Sequence, residues 1–400
     1  MRRASRRAPA ALRTLALPAL ASLVLLGGCS GQEGEDPGTA PGSANGSVAP
    51  VLGEVSWSWR DSGLDEIERL SVSERTVVAF GTRGRTAVLS ATSRDGEQLW
   101  EHDEDWFERE TGGRLESGVV AGTGTDAAAA LRVSNGIILG LDLADGSRAW
   151  TWESRRQLHT TVVGAADDTL LVREDPRFTC QSGRSRIVAL DLVDGSELWD
   201  ATAACDLAIR DERIVLGGDV VDPRTGEVLV SRAGVVCGVA GDVAVWLAEC
   251  PAPFGPGFEV TGTPVLASLE DSSVADLPSF PRGEVLQVRS GPGVLAVTYL
   301  LEGPAAETRS WVGDGTVLIT EGRPDGALVA SDGSFFELSV EQDELVVRDP
   351  SGAVAQRVGL PAQDLPADGF VQVEGVGDDY VLVTPARAGT GHLLLDLSTS

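Results

Sequence analysis

The sequence predicts an all-β fold, a β-propeller of four-stranded antiparallel blades, and three observations carry that prediction. A fourteen-residue phrase recurs as AVLSATSRDGEQLW ending at Trp100, IILGLDLADGSRAW ending at Trp150 and RIVALDLVDGSELW ending at Trp199, at intervals of 50 and 49 residues. Each copy reads as an apolar strand, an Asp-Gly turn and a short second strand, a period that marks repeated units arrayed about an axis. The two ends of the chain carry complementary halves of the same phrase.

In RIVALDLVDGSELW the aliphatic residues run without a 3.6 period and stop at Asp194-Gly195, so the segment is a strand entering a tight hairpin. Glycine takes positive φ there without a Cβ clash, and an aspartate accepts bonds from turn amides. Upstream, TVVGAADDTLLV at 161–172 splits into two apolar runs about 165–168, which completes four strands per unit. Asp142 and Asp191 stand four residues before Gly146 and Gly195. Their recurrence in one register reads as turn capping rather than as metal ligation or acid catalysis. Trp100, Trp150 and Trp199 recur likewise, which suits filling the seam between neighbouring units, each burying about 150–250 Å², better than stacking on a ligand.

The run Ala189-Leu190-Asp191-Leu192-Val193-Asp194-Gly195-Ser196-Glu197-Leu198-Trp199 resembles the repeat of the quinoprotein-type (PQQ-like) β-propellers. Residues 221–230 form a fourth copy around Gly226, with Val230 in place of the tryptophan, and weaker strand-turn-strand matches lie at 265–276, 316–328 and 344–356. The resemblance implies the fold. Many enzymes of that class carry adjacent cysteines over the cofactor and a bound calcium; this chain has no adjacent cysteines, so no catalytic position transfers to it and no cofactor is expected.

Closure of the ring is also legible. Residues 391–400 match the first half of the phrase and end where the turn glycine belongs, while Gly53 to Trp57 has the Gly-to-Trp interval of the second half. One blade is therefore expected from both termini, with 53–60 as its outer strand and about 368–398 as its inner three. Turns at Gly96, Gly146, Gly195, Gly226, Ser272, Arg323 and Gly352, with this split blade, give eight blades, seven being the alternative. The interval from Gly195 to Gly226 is short, so the fourth blade is expected to be small or merged with its neighbour.

The amino terminus reads as a processed segment. Arg2, Arg3, Arg6, Arg7 and Arg13 precede an apolar run at 14–26, too short for the roughly 20 residues of a membrane-spanning helix. Leu26-Gly27-Gly28-Cys29 resembles the lipobox of bacterial lipoproteins, which implies cleavage before Cys29 and a diacylglyceryl group on its sulfur. Ser5-Arg6-Arg7 opens like a twin-arginine signal, but Pro9 occupies the place of a bulky apolar residue. The expected divisions are a signal peptide at 1–28, a lipidated flexible tether at 29–51, rich in Gly, Ser, Pro and acids, and the propeller at 52–400.

Removing residues 1–28 takes away five of the 32 basic residues and none of the 60 carboxylates, leaving a net charge of −33. Such a surface repels nucleic acid and anionic headgroups. The chain has no lysine, a bias that fits GC-rich coding and an actinobacterium-like source. Cys180, Cys205, Cys237 and Cys250 allow three disulfide connectivities in an exported protein. The favoured pattern joins Cys237 to Cys250 across a local strand pair and Cys180 to Cys205 between the third and fourth blades. No Cys-x-x-Cys occurs, and His102, His159 and His392 are widely separated, so no metal is expected. The segment EHDEDWFERE at 101–110 holds six carboxylates with Trp106 and Phe107. It reads as a solvated connector with its aromatics tucked beneath, against calcium binding or display to a basic partner.

The functional expectation is an acylated, extracytoplasmic, monomeric propeller on the bacterial cell membrane. It is not an enzyme, and it binds a protein partner through its blade-connecting loops as a scaffold. The alternative is a small-ligand or glycan sensor using the central funnel; a quinoprotein dehydrogenase is the weaker rival.

Overall fold

The computed structural model describes residues 51–398 except 74, 122–127, 155–158, 176–184, 204–206, 211, 251–259, 262–263, 271–283, 292, 301–305, 313–316, 322–326, 332–333, 350, 366–370, 377–379 and 386–390. Cys29, the predicted signal peptide and the predicted tether up to residue 50, Cys180 and Cys205, and the turns predicted at Ser272 and Arg323 lie outside the described residues, whereas Val51, assigned to the tether, opens the first strand.

The described strands group into eight sheets. Sheets one to four cover 66–103, 115–153, 159–203 and 207–231, each with four strands paired in chain order. The short fourth copy therefore makes a small sheet of its own. The fifth has three described strands within 235–268, and the sixth has five, because Val260–Thr261 pairs with the free edge of Glu284–Gly291. The seventh covers 327–359. The eighth joins both ends of the chain, in the order Val51–Ser58, Leu393–Ser398, Tyr380–Pro385, Val371–Val376. Its register runs from Val51 opposite Ser398 to Ser58 opposite Leu393.

One edge strand of each sheet touches its counterpart in the next: Glu66–Val72 meets Leu115–Ala121, which meets His159–Ala166, and so on to Ala327–Ser331 against Val371–Val376. Trp57, Tyr380, Leu382 and Leu394 of the eighth sheet pack with Ile67, Val77, Ala79 and Val88 of the first. The circuit closes with these edge strands innermost, which is a β-propeller. A ring of this kind has no single core. Separate apolar clusters fill the seams between sheets one and two, two and three, three and four, four and five, five and six, seven and eight, and eight and one. The middle strands are covered on both faces, so Thr76–Arg83 and Thr169–Asp175 read as nearly continuous buried runs.

The repeated phrase builds the seams. Trp100 Nε1 donates to the Leu143 carbonyl at 2.8 Å, Trp150 to that of Leu192 at 2.8 Å and Trp199 to that of Pro223 at 2.6 Å. Each acceptor follows the aspartate that opens the next sheet's turn. Those carboxylates cap their own turns: Asp142 Oδ1 accepts from the Ala144 amide at 2.7 Å, Asp191 Oδ1 from Val193 at 2.9 Å, and Asp222 Oδ1 from Thr225 at 2.8 Å. The indole then lies on the turn glycine. Gly195 has φ +72°, and a Cβ on it would stand 2.6 Å from Trp150 Cδ2; Gly146 and Gly226 meet Trp100 and Trp199 in the same way.

Two departures have physical reasons. Where Val230 replaces the tryptophan, Trp246 of the fifth sheet reaches back instead, its Nε1 donating to the Gly218 carbonyl at 2.9 Å. In the seventh sheet Gln356 holds the tryptophan's place, four residues after Gly352. The next sheet offers no turn there, only the entering strand, and Gln356 clasps Leu52 by accepting from its amide and donating to its carbonyl, both at 3.0 Å. At the other side of the closing sheet, Trp57 Nε1 donates to Thr92 Oγ1 at 2.8 Å, and the next turn has Gly96 at φ +81°.

In an antiparallel sheet of this order, the first-to-second and third-to-fourth connections share one end. The turns 143–147, 192–196, 222–227 and 349–353 lie there, and so does the pairing of Val51 with Ser398. At the opposite end lie the strand ends that flank the second-to-third and sheet-to-sheet connections, such as Asp175 with Ser185, Leu247 with Val265, and Gly359 with Val371. Strand 51–58 thus enters the ring at the short-turn end.

If the tryptophan rests on the glycine as an inter-sheet lock, two glycines of like backbone conformation must differ in their response to alanine. At Gly352, with φ +81°, no atom of the described residues stands within 4 Å of the place a methyl group would take; Gly352→Ala should cost only the left-handed backbone term, about 1–2 kcal/mol. Gly195→Ala should cost about 1–3 kcal/mol more from overpacking on Trp150. Denaturant unfolding of both variants measures the difference, and equal losses would contradict the lock.

Candidate functional site

With Asp142, Asp191, Trp57, Trp100, Trp150, Trp199, Gly96, Gly146, Gly195 and Gly226 all placed in turns and seams, candidate chemistry falls to the connections and the strand ends that support them.

The acidic segment after the first sheet forms α1 (Glu104–Thr111). Asp103 caps its amino end, accepting from the Trp106 amide at 2.9 Å, and Gly112 ends it at φ +68°. Trp106 stacks on His102 with centroids 3.8 Å apart, and buried Phe107 meets both edge-on. His102 Nε2 donates to the Gly146 carbonyl at 2.7 Å, so the stack seals the seam of the first and second sheets. Burial lowers the pKa of His102 and outweighs the stabilising bond to Gly146. The carboxylates diverge: Asp103 is the cap, Glu101 makes a bidentate pair with Arg83 at 2.7 Å, and Glu110 lies 3.4 Å from Arg148. Asp105 and Glu108 point to solvent.

The most concentrated polar cluster is at the long-connection end of the third sheet. Glu174 and Asp175 end Thr169–Asp175, and each is 1 % exposed. Neighbours on a strand point to opposite faces. Glu174 takes the Ser154 hydroxyl and, at 2.7 Å, Arg186 Nη1; Asp175 takes the Ser185 hydroxyl and lies 2.9 Å from Arg173 Nε. Arg186 Nε also donates to Asp200 at 3.0 Å, while Glu197 accepts from Trp152 Nε1 at 3.0 Å. Burial works against the Arg186 charge, but Glu174 and Asp200 overcome it and hold the guanidinium above its ordinary pKa. This network fixes the strand ends from which 176–184 departs and returns. Nothing in the repeated phrase announces it; the one local signal is the pair Glu174-Asp175 closing a buried run.

Cys237 and Cys250 are joined by a disulfide. The bond roots the connection whose residues Val260–Thr261 add a strand to the axis side of the sixth sheet. The three histidines do not converge: His102 is in the first seam, His159 lies 3.1 Å from Arg132 Nη2, and His392 immediately precedes the closing sheet's strand Leu393–Ser398. Among the described residues no three His, Cys, Asp or Glu side chains gather as a metal site, and no helix is long and apolar enough to cross a membrane. What the paired charges do is hold the strand ends of the third sheet in place.

No protein-family model matches the chain, and no curated protein matches it. Solved structures similar to it include BamB from Moraxella catarrhalis, at 13% identity and TM-score 0.48 over 87% of this chain and 98% of that one. Others are the computationally designed Ika8 protein, at 16% identity and TM-score 0.49 over 86% and 100%, and the quinohemoprotein alcohol dehydrogenase from Comamonas testosteroni, at 12% and 0.47 over 86% and 76%.

Removing the Arg186 charge leaves Glu174 buried without its counter-ion. Arg186→Met should therefore destabilise the protein by about 3–5 kcal/mol, and adding Glu174→Gln should restore a large part of the loss. Denaturant unfolding of the single and double variants checks this; strictly additive losses would show that the two side chains do not act as a pair.

Proposed function

We propose that the chain is a lipid-anchored, extracytoplasmic scaffold that binds a protein partner through its long-connection end. The observation that carries this reading is the entry of strand 51–58 at the short-turn end. An anchor at Cys29 would join the chain at the end that carries the short turns, which leaves the strand ends of the longer connections away from the point of attachment. Five arginines fewer and no acids lost on cleavage make the exported chain strongly acidic, so the partner surface it suits is basic. The disulfide between Cys237 and Cys250 fits an oxidising compartment outside the cytoplasm. The ion-paired network of the third sheet supplies rigid roots for a recognition loop.

A photocrosslinking residue placed in intact cells at Arg85, exposed in a second-to-third connection, should capture a discrete protein, and one at Asp194, in a turn, should not. Cys29→Ala should release the protein from the membrane fraction and abolish that capture. Equal capture at both positions, or membrane retention of the Cys29→Ala protein, would refute the reading.

A further inference from the structure

The last strand to close the ring is Val51–Ser58, and its pairing with Leu393–Ser398 continues one step beyond Ser58: the Trp59 amide donates to the His392 carbonyl at 2.9 Å. Trp59, the first residue of the 3-10 turn Trp59–Ser62, is thereby bonded to the backbone of His392, at the point where the closing strand ends. His392 is 8% exposed, and both of its ring nitrogens are buried with no hydrogen-bond partner among the described residues; the indole nitrogen of Trp59 is in the same condition. A neutral imidazole tolerates that setting at some cost, but a charged one requires a counter-ion or water.

Among the described residues, the charged groups of the closing strand and of the turn after it have partners of their own, and Arg94, whose Nε and Nη2 are buried without hydrogen-bond partners, is a cation and offers no counter-charge. Arg60 is ion-paired with buried Asp364 and donates to the Gln363 carbonyl at 2.9 Å, Asp61 accepts from the Ser58 amide at 2.7 Å, and Asp396 accepts from Ser56 Oγ at 3.2 Å. On the neighbouring strand, Tyr380 donates to the Val72 carbonyl and lies beneath Arg94.

We propose that His392 makes closure of the ring acid-labile, its protonation releasing the amino-terminal strand from the eighth sheet while the other sheets keep their pairing. Burial alone pulls the pKa of His392 down to about 4, against an ordinary value near 6.5. The open form therefore takes up a proton below about pH 6.5 that the closed form refuses until about pH 4. Closure is strongest above pH 6.5 and weakens by about tenfold per unit between those limits. The strand so released is the one by which the chain enters the ring, so acid would loosen the ring at that point of entry.

Amide hydrogen exchange of the full chain, corrected for intrinsic rates, tests this. Between pH 7 and pH 5 protection of 51–62 should fall by about 30-fold, while 185–203 changes far less, and His392→Phe should remove the difference. The same fall in His392→Phe, or an equal fall in 185–203, would overturn the proposal. Should that variant fail to fold, an NMR titration of His392 in the unaltered protein decides: a ring pKa well below 6 supports the proposal and one near 6.5 overturns it.

Discussion

A tryptophan laid on the turn of the next sheet is the contact from which most of this structure follows. No sheet here has a core of its own; its middle strands are apolar on both faces and are satisfied only when a neighbour covers each side. The indole does two jobs at once, burying a large apolar area and giving its single N–H to a carbonyl that the turn leaves free. That geometry imposes glycine at the contact point and an aspartate to fix the turn, so one physical requirement accounts for three recurrent residues.

A ring adds the demand that the last seam be as good as the first. The chain meets it by splitting a sheet between its two ends and altering the side chains where the pattern cannot be repeated. Gln356 exchanges both of its amide groups with the backbone of Leu52, because an entering strand offers a paired donor and acceptor where a turn offers one carbonyl. Trp246 serves the seam that Val230 leaves without an indole. The same topology separates the two ends of the ring, placing chain entry among the short turns and the larger connections opposite, where buried Glu174 and Arg186 brace the strands beneath them.

The sequence makes the framework readable because the Asp-Gly turn and its following tryptophan tolerate few substitutes and recur at fixed spacing. The split sheet is readable for the same reason, its halves being fragments of one phrase. Other features leave weaker traces. Gln356 looks like a mere mismatch until the contact it makes is known, and Trp246 sits inside a strand with no turn to mark it. Helix α1 has a capping aspartate and a terminal glycine, yet its eight residues fall between strands and its aromatics are explained only by the seam they seal. The charged network of the third sheet joins residues from four separate strand ends and so has no local pattern. The disulfide between Cys237 and Cys250 spans a local strand pair and belongs to one of the three connectivities that four cysteines allow, whereas Cys180 and Cys205 lie outside the described residues.

The central claim is that stability resides in the seams and not within individual sheets. Hydrogen exchange of a Trp150→Ala protein tests it most directly, since Trp150 belongs to the second sheet but rests on the turn of the third. The account predicts that protection falls together in 137–153 and in 185–196, on both sides of the altered seam. A loss confined to the strand Arg148–Glu153, with the third sheet unchanged, would contradict it.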